Sequence, residues 1–133
     1  MSYAQQMVET HPLQSPVDAR KLAECIEACF DCVQACASCA DACLNEDDPK
    51  SLSRCIRLDL DCADICDATG RMLSRQTAFD PEMARAVVEV CARACKLCGD
   101  ECDQHASHHE HCKVCAEACR RCENSCNELL QAL

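Results

Sequence analysis

Residues 25–43 read CIEACFDCVQACASCADAC, and the cysteines in this stretch recur four, three, four, three and four residues apart. In an α-helix each residue advances by about 100°, so alternating steps of three and four keep side chains on one face, in a stripe narrower than about 90°. The stretch therefore predicts a helix with one face made of sulfur. Its cysteines are Cys25, Cys29, Cys32, Cys36, Cys39 and Cys43.

The same spacing returns in three later segments. Steps of three and four separate the cysteines of the last two segments, whereas the second segment is sparser. We expect all four sulfur stripes to face inward, since four helices can bury such faces only against one another. The second segment contains Cys55, Cys62 and Cys66; the third contains Cys91, Cys95, Cys98 and Cys102; the fourth contains Cys112, Cys115, Cys119, Cys122 and Cys126.

Prolines and capping residues divide the chain into these four helices. The first boundary is the run Ser15, Pro16, Val17 and Asp18; the later ones are Asp48 with Pro49, Asp80 with Pro81, and Ser107 followed by Glu110. Ser or Asp before a helix and Pro in its first turn are typical of helix starts. The predicted helices cover about 16–45, 49–77, 81–105 and 108–131.

Short connections make successive helices antiparallel neighbours. The predicted fold is thus all-α, an antiparallel up-down four-helix bundle over residues 16–133. Residues 1–15 form an N-terminal segment, in which residues 3–9 have room for a short helix.

The net charge of −10 argues against a nucleic-acid partner, because Lys and Arg supply most of the affinity for phosphate backbones. Residues 1–21 contain neither an apolar run of signal-peptide length nor a twin arginine. We therefore expect a cytoplasmic protein without a membrane partner.

Eighteen cysteines in 133 residues need an explanation of their own. A single buried Cys is usually just a small core residue. At the cysteine positions of four inward helix faces, however, Leu or Ile would fill the core far better. A disulfide scaffold is typical of secreted chains, and cysteines three or four apart on a helix are too distant for a disulfide. The pattern indicates thiols that bind metal.

Soft thiolate ligands select Cu(I), Zn(II) or iron–sulfur clusters. A continuous seam divides poorly into the closed four-ligand sites that zinc prefers, and the loop motifs of iron–sulfur proteins do not occur. Cu(I) accepts two or three thiolates, and bridging sulfurs bring the ratio near one ion per cysteine, so that the buried charges cancel. Copper(I) storage is the leading interpretation, and a metallothionein-like buffer of Zn(II) or other soft metals is the alternative.

The repeated C-x3-C and C-x2-C spacing at 25–43, 91–102 and 112–126 resembles the bacterial four-helix-bundle copper storage proteins, specifically their cytosolic branch. The resemblance covers residues 18–133. It implies a bundle core loaded with many Cu(I) ions and association of bundles into a homo-oligomer, a tetramer.

No catalytic constellation accompanies the cysteines. The C-x2-C pairs lie in the middle of predicted helices, whereas a redox pair normally sits at a helix N-terminus that lowers one thiol's pKa. The sequence also contains no phosphate loop and no nucleophile with a matching base. We therefore predict a protein that is not an enzyme; the donor and recipient of its copper cannot be read from the sequence.

Antiparallel order predicts one ligand-rich end of the bundle, at Cys43, Cys55, Cys102 and Cys112. Extending the cysteine stripes by one step places His105 and His108 toward the bundle axis at this ligand-rich end, which we call the mouth. Imidazole is a competent copper ligand. We expect His111 at the edge of the stripe and His109 facing outward.

Aliphatic side chains are expected to close the opposite end. They are Leu22, Leu73, Val88, Leu130 and Leu133. In the second seam Asp59 occupies a cysteine position, and we expect a polar residue near the mouth rather than a copper ligand, because a carboxylate is a hard donor.

Overall fold

A computed structural model of residues 1–133 contains five α-helices, one short 3₁₀ helix and no strand. This confirms the all-helical prediction. The 3₁₀ helix Pro49–Leu52 directly precedes α3. The α-helices are α1 (Tyr3–Thr10), α2 (Ala19–Leu44), α3 (Ser53–Leu73), α4 (Pro81–His105) and α5 (Glu110–Ala132).

Helix α2 begins later than the proline at position 16 suggested. The Asp18 carboxylate accepts a hydrogen bond from the Lys21 N–H at 2.9 Å, and its carbonyl accepts from the Leu22 N–H. Ser15 instead accepts from Val17 N–H, within the preceding turn. Asp18 is therefore the N-cap, and the helix start predicted at about residue 16 is wrong.

Helix α5 also begins later than predicted, because the turn after α4 continues with helix-like hydrogen bonds. The carbonyl of His105 accepts from the N–H groups of both His108 and His109. The carbonyl of His109 then accepts from Cys112, which makes His109 the N-cap. Ser107 lies within the turn, so the helix start predicted at about residue 108 is wrong.

Helix α3 is shorter at both ends than the predicted helix over 49–77. Its first turn is the 3₁₀ segment, in which the Ser51 N–H donates to the Asp48 carbonyl. At the other end Ser74 Oγ donates to the Gly70 carbonyl at 2.7 Å, and Gln76 Nε2 donates to the Leu73 carbonyl at 2.8 Å. The Gln76 amide thus satisfies a carbonyl that the N–H of Thr77 would bond in a continuing helix, and the helix ends at Leu73.

The four long helices contact one another in a closed ring, α2 with α3, α3 with α4, α4 with α5 and α5 with α2, while α1 lies on α2. They enclose one buried cluster of 28 residues, of which 18 are cysteines. The core of this protein therefore consists mainly of thiols instead of hydrocarbon side chains. None of the helices combines the length and the apolar character needed to cross a membrane.

Two glycines allow neighbouring helices to approach closely. A Cβ added at Gly70 would lie 3.3 Å from Cys29 Cβ and 2.9 Å from the Phe30 ring on α2. A Cβ at Gly99 would lie 3.3 Å from Cys119 Cβ and 3.0 Å from the guanidinium of Arg120 on α5. Each glycine thus lets a cysteine-bearing helix pack against its neighbour at short range.

Candidate metal centre

Every cysteine is free and buried, with at most 2% of its surface exposed. The stripe geometry explains this burial, because steps of three and four keep one face of each helix toward the axis. Nearest sulfurs on different helices lie between 3.6 Å, for Cys66 and Cys95, and 4.0 Å, for Cys66 and Cys122. These separations match van der Waals contact of thiols and are far longer than an S–S bond of about 2 Å.

The sulfurs form a continuous network instead of isolated pairs. Cys32 Sγ lies 3.7 Å from Cys36, 3.8 Å from Cys62 and 3.8 Å from Cys119, so one sulfur meets neighbours on three helices. Each such neighbour is itself in contact with further thiols.

Several sets of four sulfurs are compact enough to hold an ion, with all donor atoms within 4.8 Å of one another. The sets overlap, because Cys32, Cys36, Cys119 and Cys122 each belong to two of them. An ion bound in one set would therefore share ligands with an ion in the next. Four of the sets are Cys29, Cys91, Cys122 and Cys126; Cys32, Cys66, Cys95 and Cys122; Cys32, Cys36, Cys62 and Cys119; and Cys36, Cys98, Cys115 and Cys119.

Asp59 of α3 is fully buried and surrounded by thiols, among them Cys55 and Cys102 of the expected ligand-rich end. Its Oδ1 lies 3.1 Å from Cys98 Sγ, 3.3 Å from Cys115 Sγ and 3.6 Å from Cys102 Sγ. Burial, followed by repulsion from Cys115, raises the pKa of Asp59 to about 7. The carboxyl group thus places an oxygen donor within the sulfur network.

The thiols at the expected mouth are also affected by burial. Desolvation raises the pKa of Cys112 to about 11 and is the main cause that raises the pKa of Cys43. Both thiols are therefore protonated and neutral at pH 7, and a metal ion that binds there displaces their protons.

The four histidines near this end occupy different positions. His105 Nε2 lies 2.8 Å from Glu101 Oε2, while Glu101 Oε1 accepts from Arg54 Nε at 3.1 Å. His108 is exposed in the turn between α4 and α5, so the structure does not bring it to the axis as the seam suggested.

The histidine nearest to the thiols is His111. Its Nδ1 lies 3.3 Å from Cys39 Sγ and 3.7 Å from Cys112 Sγ, and these atoms form a compact group with Cys43. His109, which we expected to face outward, instead contacts Glu46 through Nδ1 at 2.7 Å. The sequence placed His111 only at the edge of the stripe, and no sequence signal connected Glu46 with either ring.

The opposite end of the core is hydrocarbon. Leu22, Leu73 and Val88 are buried there with at most 1% exposure, as is Leu129, which the sequence analysis did not select. Leu130 and Leu133, which it did select, are partly buried against the same core. Leu129 follows Cys126 by three residues and so continues the α5 stripe, a signal that could have identified it.

These observations define an all-helical metal-binding protein with a core of free thiols. Residues 18–131 match the sequence model of the Csp copper storage protein family. The chain belongs to this copper storage protein family.

Solved structures of family members are similar over most of the chain. The copper storage protein Ccsp from Streptomyces lividans, loaded with 10 copper equivalents, is 52% identical, with a TM-score of 0.96 and coverage of 98% of this chain and 99% of that one. A structure of copper loading to a cytosolic copper storage protein from Streptomyces lividans is 56% identical over 86% of this chain and 95% of that chain, with a TM-score of 0.85. Cu(I)-bound BsCsp3, a Bacillus subtilis protein, is 40% identical over 80% of this chain and 94% of that chain, with a TM-score of 0.71.

Proposed function

We propose that this chain is a cytosolic store of Cu(I), in which the thiolates of all 18 cysteines hold many copper ions inside a four-helix bundle. The observation that carries the proposal is the network of buried free thiols, with neighbouring sulfurs on different helices 3.6–4.0 Å apart. The copper-loaded and cytosolic family members described above support the metal, its oxidation state and the compartment. Storage without catalysis accounts for every buried cysteine.

An antiparallel up-down bundle spanning residues 16–133 agrees with which cysteines are neighbours. Cys25 near the start of α2 lies 3.8 Å from Cys126 near the end of α5, and Cys39 lies 3.9 Å from Cys112 near its start. In the same way, Cys55 at the start of α3 is 3.7 Å from Cys102 at the end of α4. These pairs support opposite directions for α2 and α5 and for α3 and α4.

The overlap of the thiol sets favours Cu(I) over the zinc alternative. Zinc prefers closed sets of four ligands, and neighbouring sets that share Cys32 or Cys36 cannot all be closed at once. A closed zinc tetrathiolate would also carry a net charge of about −2 in a low-dielectric core, whereas bridging thiolates at about one Cu(I) per cysteine leave little net charge.

Copper uptake is proposed at the end of the bundle where Cys43 and Cys112 lie, because hydrocarbon closes the opposite end. His105 is held by Glu101 at this end, and exposed His108 is placed to meet an incoming ion first. Replacing His105 and His108 by alanine should slow copper loading and removal while total capacity stays nearly unchanged. Unaltered rates in that double variant would exclude these two histidines from the uptake route but would leave storage intact.

We also propose that the chain forms a homo-oligomer, a tetramer by its family resemblance. Val90 and Leu97 of α4 are 52% and 41% exposed and border a groove with Leu58 and Ile65 of α3. Light scattering after size-exclusion chromatography gives the mass, and a monomer at micromolar concentration would contradict this part of the proposal.

The test of storage is an anaerobic titration of the reduced, metal-free protein. With Cu(I) supplied from a chromophoric chelator, we expect tight binding of many ions, approaching one per cysteine. With Zn(II), we expect far fewer. Saturation near four Zn(II) without tight binding of many Cu(I) would overturn copper storage in favour of zinc buffering.

A further inference from the structure

Glu46 lies just beyond the end of α2, where its N–H donates to the carbonyl of Cys43 at 3.3 Å. Its side chain spans from α2 to the start of α5. The single oxygen Oε2 lies 2.7 Å from Nδ1 of His109 and 2.8 Å from Nε2 of His111. Two imidazoles therefore share one carboxylate oxygen, and their rings stack with centroids 5.6 Å apart.

The second nitrogen of His111 faces the thiols. Nδ1 lies 3.3 Å from Cys39 Sγ, and the group of Cys39, Cys43, His111 and Cys112 has all its donor atoms within 4.8 Å of one another. This compact set lies close to the connection between α4 and α5. His111 thus joins Glu46 on its outer side to three thiols on its inner side.

The hydrogen bond to Glu46 decides which nitrogen of His111 can bind a metal. An ionised carboxylate only accepts hydrogen bonds, so the ring nitrogen that faces it must carry the hydrogen. A glutamate carboxyl group is ionised at neutral pH, since its usual pKa is about 4.3. A neutral imidazole that carries its hydrogen on Nε2 has its free lone pair on Nδ1, toward the sulfurs.

We propose that Glu46 is a positioning residue for copper loading: it accepts the Nε2 hydrogen of His111 and thereby directs an unprotonated Nδ1 at Cys39, Cys43 and Cys112. This inference rests on the proposed storage function. Carboxylates that hold the outer nitrogen of a metal-binding histidine commonly fix its tautomer and ring orientation, and their loss typically weakens metal binding. Glu46 acts through His111 and does not itself touch the ion.

The first test measures the tautomer in the full-length, reduced, metal-free protein. Long-range ¹H–¹⁵N NMR spectra of the His111 ring should show hydrogen on Nε2 in the unsubstituted chain, and a substantial Nδ1–H population in Glu46→Ala. Asp47→Asn is the matched control, because it removes an exposed negative charge next to Glu46 that has no imidazole contact. A wild-type tautomer in Glu46→Ala, or a tautomer change in Asp47→Asn, would overturn the positioning role.

The second test measures copper binding at His111 with Cu(I) buffered by bathocuproine disulfonate under anaerobic conditions. In Glu46→Ala the free Cu(I) concentration that shifts the His111 ring signals should rise by about 10- to 100-fold, while total copper capacity is unchanged. Glu46→Gln keeps an acceptor oxygen and should stay close to the unsubstituted protein.

The outcomes separate the two proposals. If Glu46→Gln behaves like Glu46→Ala, charge and not hydrogen-bond acceptance matters, and the positioning account fails. If all variants bind copper at His111 equally well, the account also fails although storage stands. If the unsubstituted chain takes up no more than a few Cu(I) ions, storage itself fails, whatever the NMR spectra show.

Discussion

The Asp59 carboxyl group lies among thiols of three helices, in a position that the cysteine repeat would otherwise fill with sulfur. Burial opposes its ionisation, and ionised thiols beside it would oppose it further. The pKa of about 7 means that this group holds a proton across the mildly acidic range. A protonated carboxyl can donate to a neighbouring sulfur, whereas a carboxylate in the same place costs stability.

We predict that the metal-free protein loses stability as the pH rises from about 4 to 7. In that range the unfolded chain has released the Asp59 proton and the native state still holds it, so unfolding becomes easier with each pH unit. A shift from 3.8 to about 7 corresponds to a change on the order of 4 kcal/mol. Above pH 7 the effect levels off, because both states are then ionised.

Urea unfolding of the reduced protein between pH 4.5 and 8 measures this effect against Asp59→Asn, which cannot titrate. The difference between the two proteins cancels the contributions of other carboxylates. Parallel stability curves would show that Asp59 does not titrate in this range.

Ala78, in the connection between α3 and α4, has a positive φ of 53°. The left-handed region costs a residue with a Cβ about 1–2 kcal/mol, and the Ala78 side chain is exposed. Ala78→Gly should therefore stabilise the protein by about 0.5–1 kcal/mol, after the larger chain entropy of glycine in the unfolded state is subtracted. Denaturant midpoints measure it, with exposed Thr77→Gly as a control that should not stabilise.

At the scale of single helices, two Asp-Pro pairs with the same sequence start their helices differently. Asp80 accepts hydrogen bonds from the N–H groups of Glu82, at 2.9 Å, and Met83, at 3.3 Å, and an α-helix follows directly. Asp48 makes no side-chain capping bond, and a 3₁₀ turn precedes the α-helix. The dipeptide marks both starts, but only the structure shows which carboxylate acts as a cap.

Asp80→Ala should lower the free energy of unfolding by about 1 kcal/mol, because it leaves two N–H groups of α4 without their acceptor. Asp48→Ala should change it by less than about 0.5 kcal/mol. Equal losses in chemical denaturation would contradict the distinction between the two caps.

At the scale of the whole molecule, small thiols form most of the core, and larger hydrocarbon side chains fill the space around them. Leu22, Leu73, Val88 and Leu129 fill one end, Leu52 is buried near the start of α3, and side-chain caps begin α2 and α4. Burial of a thiol in contact with other thiols leaves no strongly polar group unsatisfied. We therefore expect the bundle to close its core without metal.

We predict that the reduced, metal-free protein is already helical by circular dichroism. Copper should then raise the melting temperature, by about 10 °C for a single bound ion when free Cu(I) exceeds its dissociation constant about 100-fold and by more for many ions, since the ions bind the folded state. A random-coil spectrum that becomes helical only on addition of copper would show that metal binding drives folding.

The cysteine spacing alone determined the helical class, the inward sulfur stripes and the metal-binding interpretation. Side chains spaced alternately three and four residues apart lie on one face of a helix. The start of α4 followed from Asp80 and Pro81 because that cap is local. Local signals failed at two serines. Ser15 Oγ accepts from the Val17 N–H inside its own turn, and the turn around Ser107 is closed by hydrogen bonds from His108 and His109 to the His105 carbonyl.

Only the tertiary structure decided which polar groups meet the sulfurs. His111 contacts Cys39 across 72 residues and Glu46 across 65, while His108, which continues the seam in sequence, is exposed. Helix α5 begins only after a turn, and a periodic extrapolation through that turn did not select His111, the ring nearest to the thiols. A repeat fixes side-chain direction only within one helix; contacts between helices depend on where each helix begins and how closely it packs against its neighbours.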